Sequence, residues 1–338
     1  MITKEDSVVL GFSVGHDRGA TLIVNGKIIV GITEERLSRI KHDAEDSIPI
    51  QSMNYCIGYA NINFKDVDLF VYNITVDENK VVKQFEELTG LKAEEKLVYI
   101  PHHMAHAYSS FGASGFKEAA IVVADAMGSV WNDVTPIKDF YPNINKPELP
   151  TGQQWAEGYT IFHFKDDSIN EVYKKWIKFP DAFHRNGEET SLGGIYGWGS
   201  VQLIYDPNSN TWPAGKLMGL ASYANQDFVK SQNAWAIMTD DDLSIASGTL
   251  HGWVNYNSDF QAKADVAGIY QNEQEQSSLH LAKMAKSLTN SPNICVAGGS
   301  FLNCNSNELI STFSDGSAIL YNIFSQKSIY NSQKEEEK

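Results

Sequence analysis

Three histidines within five residues, His102-His103-Met104-Ala105-His106, follow directly on the apolar run Leu97-Val98-Tyr99-Ile100-Pro101 and open a helical pattern. Residues four apart project from one face of a helix, so His102 and His106 can present two neutral imidazole nitrogens to one divalent metal ion. Histidines at a strand-to-helix junction also serve as plain surface or core residues. The pair gains weight because other chemistry-bearing groups accompany it. Asp125 closes the apolar run Ala119-Ala120-Ile121-Val122-Val123-Ala124 and precedes Ala126-Met127-Gly128-Ser129. A carboxylate at the exposed end of a buried strand suits a metal ligand or a general base, with a turn cap as the plainer role.

Two glycine-bearing turns could hold an anion. Gly15-His16-Asp17-Arg18-Gly19 ends the first apolar run. Its glycines let backbone amides approach a phosphate, His16 can donate a hydrogen bond, and Asp17 can hold a metal-bound water or the histidine. A tight turn with solvated polar residues would read the same way. Gly298-Gly299-Ser300-Phe301-Leu302-Asn303 follows the run 293–297 and opens a helix, which would suit a nucleotide phosphate or ribose. Lys216, in Gly215-Lys216-Leu217-Met218-Gly219-Leu220-Ala221-Ser222-Tyr223, can bind phosphate or simply be solvated.

The elements that must position these groups are legible in outline. Residues 8–14, 20–24 and 27–33 are β-branched apolar runs, the last two joined by Asn25-Gly26, a strong hairpin signal because both turn positions take positive φ. Helices are expected at 51–60, 77–89 and 104–111, with strands at 67–72, 97–100 and 119–124. The order βββαβαβ, antiparallel hairpin first, is that of one lobe of an actin-like ATPase and unlike a plain dinucleotide-binding unit. Further on, 130–155 reads as a surface excursion, 158–164 and 169–176 as a decorating hairpin, 191–205 as a helix start, and 274–288 as an amphipathic helix.

Composition bounds the function. The 338 residues carry 27 Lys and Arg against 42 Asp and Glu, a net charge of −15, which weighs against direct nucleic-acid binding but allows a small phosphorylated substrate held by local cations. No run approaches the roughly 20 apolar residues of a membrane helix, and the first residues lack a signal-peptide layout, so a cytoplasmic location is expected. Cys56, Cys295 and Cys304 show no Cys-x-x-Cys spacing and are expected as core or near-core thiols.

Taken in order, these segments resemble the O-carbamoyltransferase family of the nodulation-factor and antibiotic type (NodU/CmcH-like). The resemblance rests on Gly15-His16-Asp17 with Ala20, the run from Glu34-Glu35-Arg36 through His42-Asp43, His102 to Ala107, Ala124 to Gly128, Ser191-Leu192-Gly193, Gly215 to Tyr223, and Ala297-Gly298-Gly299 with Leu302-Asn303. It implies an α/β, actin-like ATPase fold (ribonuclease H-like, two lobes) akin to threonylcarbamoyl-transferring enzymes. It further implies carbamoyl transfer from carbamoyl adenylate, made from carbamoyl phosphate and ATP, to a substrate hydroxyl. By the resemblance His102, His106 and Asp125 ligate a divalent metal such as iron, His16 and Asp17 face the carbamoyl group, and Gly298, Gly299, Asn303 and Lys216 face the nucleotide.

The expected layout is a first lobe at 1–129, a variable insertion at 130–190, an incomplete second lobe at 191–310, and a divergent tail at 311–338 that joins no core. The family's Gly-Asp-x-Gly segment and its adenylate-forming domain are not seen, so the chain resembles the family's amino-terminal domain cut short near residue 310, by truncation or a split gene, or as a subunit whose partner chain carries the missing domain. Two other readings stay open: a nucleotide- and metal-binding remnant without catalysis, and a threonylcarbamoyl-type transferase acting on tRNA.

Overall fold

Asn25 and Gly26 take φ of 50° and 74° and close the hairpin between β2 (Gly19–Val24) and β3 (Lys27–Thr33). In the computed structural model this hairpin extends β1 (Val8–Ser13) antiparallel, while β4 (Leu69–Asn73) and β5 (Leu97–Tyr99) add parallel on the other side, giving the order β3-β2-β1-β4-β5. The structure describes residues 2–3, 5–41, 43, 45, 47–73, 78–130, 154–179, 190–204, 212–232, 236–240, 242–245, 254–314, 318–322 and 325–328. The chain divides into two compact units, 1–105 and 106–338.

In the first unit, Leu10, Leu22, Phe70, Met53 and Phe85 are buried in one apolar core. Burying such side chains contributes ~1.5–3 kcal/mol each. Strand β1 alternates buried and half-buried residues, as a sheet covered on one face requires. Helix α1 (Glu34–Ser38) begins with Glu34, whose carboxylate accepts from the backbone N–H groups of Gln51 and Ser52 at the start of α2 (Ile50–Ala60). Pro49 precedes that helix without a side-chain cap, and the buried Glu34 satisfies its orphan donors. Helices α3 (Glu78–Thr89) and α4 (Ala93–Lys96) complete the unit before α5 (His102–Gly112), which crosses the division between the units.

In the second unit, β6 (Ala119–Ala124) is buried at all six residues because it is central in the order β13-β12-β11-β6-β7-β8. Its neighbour β11 (Ile294–Ala297) runs parallel, and β7 (Gln154–Lys165) antiparallel. Strand β8 (Ser168–Phe179) pairs with β7, and β9 (Ala236–Thr239) with β10 (Asp242–Ile245) in a separate ribbon. Helices α6 (Leu192–Leu203), α7 (Ala214–Ala221) and α8 (Gln226–Ser231) pack on α9 (Phe260–Thr289), which Asp259 caps by accepting from Ala262 N–H. Helix α10 (Cys304–Phe313) leads to β12 (Ala318–Asn322) and β13 (Ser325–Ser328).

Three expectations change. Residues 106–129, placed by the sequence in the first lobe, belong to the second unit, because β6 pairs with β11 some 170 residues away and no local pattern records that pairing. The 154–179 hairpin is two strands of the main sheet, so it is integral to this unit. The stretch from 311 is not separate either: α10 runs to Phe313, which packs on the core, and β12 pairs parallel with β11. Most of the 130–155 excursion lies outside the described residues. No helix among the described residues is long and apolar enough to cross a membrane.

Candidate metal centre and its supporting turns

Helix α5 starts immediately after Pro101, whose fixed φ suits the residue before a first turn. His102 and His106 lie one turn apart on it, and His106 Nε2 is 3.2 Å from Asp125 Oδ2, both side chains being 17% exposed. One ligand atom from each of His102, His106 and Asp125 lies within 4.8 Å of the others. His102 Nδ1 is also 3.4 Å from the Asn73 amide nitrogen. His103 is wholly buried beside Met104, so the middle histidine belongs to the packing. Two imidazoles and a carboxylate with further positions open are a donor set that fits a first-row divalent ion.

Asp125 stands at the end of β6, and its Oδ1 accepts from Ala126 N–H at 2.7 Å. Three glycines approach residues 124–126 closely. A Cβ on Gly298, whose φ is 98°, would lie 2.2 Å from Ala124 O; one on Gly193 would lie 2.6 Å from Ala126 N; one on Gly299 would meet Asp125 Oδ1 at 2.8 Å. The Gly-Gly pair therefore first serves close approach to the end of β6, Gly298 to Ala124 and Gly299 to Asp125. Ser191 Oγ donates to Ala126 O at 2.5 Å and accepts from Gly194 N–H, so it caps α6 and fixes this segment together.

Asn303 is buried and fully engaged. Its Oδ1 caps α10 through Ser306 N–H and accepts from Gln271 Nε2 at 2.9 Å, while its Nδ2 donates to Gln271 Oε1 at 2.9 Å. Tyr196 OH donates to the same Gln271 oxygen, and burial pushes that phenol above its ordinary range. Asn303 thus anchors the turn 298–303 against α6 and α9. Lys216 is exposed on α7 and lines a cleft of about 360 Å³ with Leu203, Ile204, Tyr256, Phe260 and Lys263; two residues on, Met218 Sδ lies 3.8 Å from Cys304 Sγ.

In the first unit, Gly15 and Asp17 take φ of 109° and 55°. His16 Nδ1 is 2.9 Å from Asp17 Oδ2, the side chains 75% and 39% exposed. The next residue, Arg18, turns inward: its guanidinium donates to Asp43 Oδ1 at 2.6 Å, to Glu45 Oε2 at 3.2 Å and to the carbonyls of Asp43 and Ser47. Burial works to raise the Asp43 carboxyl, but the Ser38 hydroxyl and Arg18 outweigh it and hold the group below its ordinary 3.8. His42 lies outside the described residues. Cys56 and Cys295 are core thiols that burial pushes up to about 11 and about 12, whereas Cys304 is exposed at the start of α10, against expectation.

The sequence reading took Asp125 and the glycine pair from separate motifs, and the structure brings them into contact. Gly193 and Ser191 entered only through the resemblance. Glu157, whose carboxylate accepts from Ser129 N–H just beyond Asp125, was missed, and no local pattern marks it.

The strand orders of the two sheets, each with its own helices, are those of an actin-like ATPase fold. HypF from T. kodakarensis superposes with a TM-score of 0.57 at 12% identity, covering 94% of this chain and 45% of that one; another HypF, in a phosphate- and nucleotide-bound form, gives 0.50 at 10% identity, covering 94% and 53%. The family model described as carbamoyltransferase N-terminus matches residues 8–89 and 81–317, so the chain belongs to that family. Among curated relatives, the uncharacterized protein sll1178 of Synechocystis sp. is 26% identical over 88% of this chain and 51% of its own length. Nodulation protein NolNO of Sinorhizobium fredii is 32% identical over 37% of this chain and 21% of its own. The chain spans about half the length, or less, of the curated relatives it matches.

Proposed function

We propose that this chain carries the transfer step of an O-carbamoyltransferase, moving a carbamoyl group from carbamoyl adenylate to a hydroxyl of a small-molecule or nucleoside acceptor. The observation that carries the reading is the convergence of His102, His106 and Asp125 against the Gly298-Gly299 turn, in a chain of this family. Carbamoyl adenylate would come from carbamoyl phosphate and ATP in an adenylate-forming domain outside residues 1–338, in the same longer protein or in a partner chain.

In the reaction the acceptor oxygen bonds to the carbamoyl carbon, the bond from that carbon to the adenylate oxygen breaks, and AMP leaves. The hydroxyl proton needs a base. In the His16–Asp17 pair the carboxylate can accept Nδ1–H, which selects the tautomer whose Nε2 would take that proton. His102, His106 and Asp125 would hold the metal, iron being proposed because two histidines and one carboxylate suit a non-haem ferrous site. When bound, such an ion supplies Lewis acidity toward carbonyl or phosphate oxygens. Backbone amides of the Gly298-Gly299 turn are candidate nucleotide contacts, Asn303 holds that turn from behind, and Lys216 is a candidate phosphate contact.

The test is transfer of label from carbamoyl phosphate in the presence of ATP and a panel of hydroxyl acceptors. Residues 1–338 alone should give no transfer, and addition of a separately expressed adenylate-forming domain from a relative should give AMP and labelled product. Persistent failure with the added domain active, or ATP-dependent pyrophosphate release by the chain alone, would remove this assignment.

A further inference from the structure

Glu157 lies on β7, the strand beside β6, and three hydrogen bonds join it to the segment just after Asp125. Its carbonyl accepts from Gly128 N–H at 2.8 Å, its N–H donates to Ser129 O at 3.1 Å, and its Oε2 accepts from Ser129 N–H at 3.0 Å. Its other oxygen, Oε1, is 2.7 Å from Lys174 Nζ on β8, which also meets Glu171 Oε2 at 2.8 Å. Lys174, Glu157 and Glu171 are 2%, 0% and 5% exposed, and the ammonium sits 5.2 Å from the Trp176 ring.

A buried charged trio is an expensive way to join two strands. Apolar residues of similar volume would serve pairing equally well or better. The Val130–Ala156 bridge already joins these segments without charge. What the carboxylate adds is a charge-assisted bond to one backbone N–H, four residues from the metal-site carboxylate. Burial opposes the Lys174 charge, yet the two carboxylates outweigh it and hold the ammonium above its ordinary range, so Glu157 keeps a cationic partner at all ordinary pH values.

We infer that Glu157, neutralised by Lys174, is a positioning residue for Asp125: it fixes the exit of the segment whose start is β6, and so keeps Asp125 Oδ2 turned toward His106. The inference rests on the metal reading of His102, His106 and Asp125. Outer groups that orient metal ligands change affinity by roughly 10–100-fold when altered. Here the action passes through the backbone from 125 to 129, so the lower end applies.

Cobalt(II) alone is the probe, titrated into the full chain by calorimetry and by its visible absorption. In Glu157→Gln one of the two acceptor oxygens becomes an NH2 group facing a donor; binding should weaken about tenfold, with shifted cobalt bands. Glu171→Gln also removes a carboxylate from Lys174 but touches no part of the 125–129 segment, and should stay within about twofold of the parent. Should Glu157→Gln fail to fold, the triple variant Glu157→Leu, Lys174→Met, Glu171→Leu replaces the whole buried trio, and should keep the fold while weakening cobalt binding by the same factor. No cobalt binding by the parent protein would overturn the metal reading and this inference with it. Parent-like cobalt affinity in a folded Glu157 variant would overturn this inference alone.

Discussion

In the first unit, His16 and Asp17 stand out into solvent on a turn with positive φ at residues 15 and 17, and what holds them lies underneath: Arg18, buried against Asp43. In the second, the chain around Asp125 is closely packed: Gly298 lies against Ala124, Gly193 and Ser191 against Ala126, and Gly299 against the Asp125 carboxylate. The first arrangement anchors an exposed pair through an inward ion pair. The second holds the backbone that carries a single carboxylate, through the close approach of glycines. Substitutions should therefore damage the first region through lost charge pairing and the second through crowding.

The largest effect should come from Arg18→Met, which leaves the Asp43 carboxylate buried without its cation; losing one partner of a buried pair costs about 3–5 kcal/mol. Urea unfolding checks this, and a loss under about 1 kcal/mol would mean that the pair does not anchor the turn. The same experiment has a pH signature. Asp43 is held below its ordinary 3.8, so its contribution is present above that value and disappears as the pH falls through the depressed folded value. The gap between parent and variant should accordingly close in acid.

Next comes Gly298→Ala. Its Cβ would strike a backbone oxygen from a residue with φ of 98°, so neither partner can yield cheaply, and a loss of about 3 kcal/mol is expected in the same assay. A loss below about 1 kcal/mol would show that the backbone around Asp125 is not crowded. In the double variant His102→Ala, His106→Ala, stoichiometric metal in protein purified without chelator should vanish while the thermal midpoint stays within a few degrees. Unchanged metal on elemental analysis would place the ligands elsewhere. The smallest effect belongs to Gly299→Ala: its Cβ meets only the Asp125 side chain, which can swing aside. Stability should hold to within about 1 kcal/mol and cobalt affinity fall about tenfold. If stability fell as far as in Gly298→Ala, the distinction between these two glycines would be lost.

The hairpin through Asn25-Gly26, the helical spacing of His102 and His106, and the buried strand ending at Asp125 were legible because each is written in a few adjacent residues: a turn that takes positive φ, a period near 3.6, an unbroken apolar run. The same locality explains how the 154–179 hairpin could be recognised as paired strands yet misplaced as decoration. Which edge a hairpin joins depends on burial of its faces against elements far away in the chain.

From the sequence by itself come the types of the candidate groups, the elements that carry them, and a family resemblance that the family model bears out. Tertiary structure alone decided that Gly298 meets Ala124 and Gly299 meets Asp125, since those contacts depend on β6 pairing with β11. It also assigned Asn303 to a buried network and revealed the Glu157–Lys174 pair behind Ser129. The physical reason is common to all three. Close backbone approach and the pairing of buried charges are set by which strands lie side by side, and strands that pair across a long separation carry no mark of their partner in their own residues.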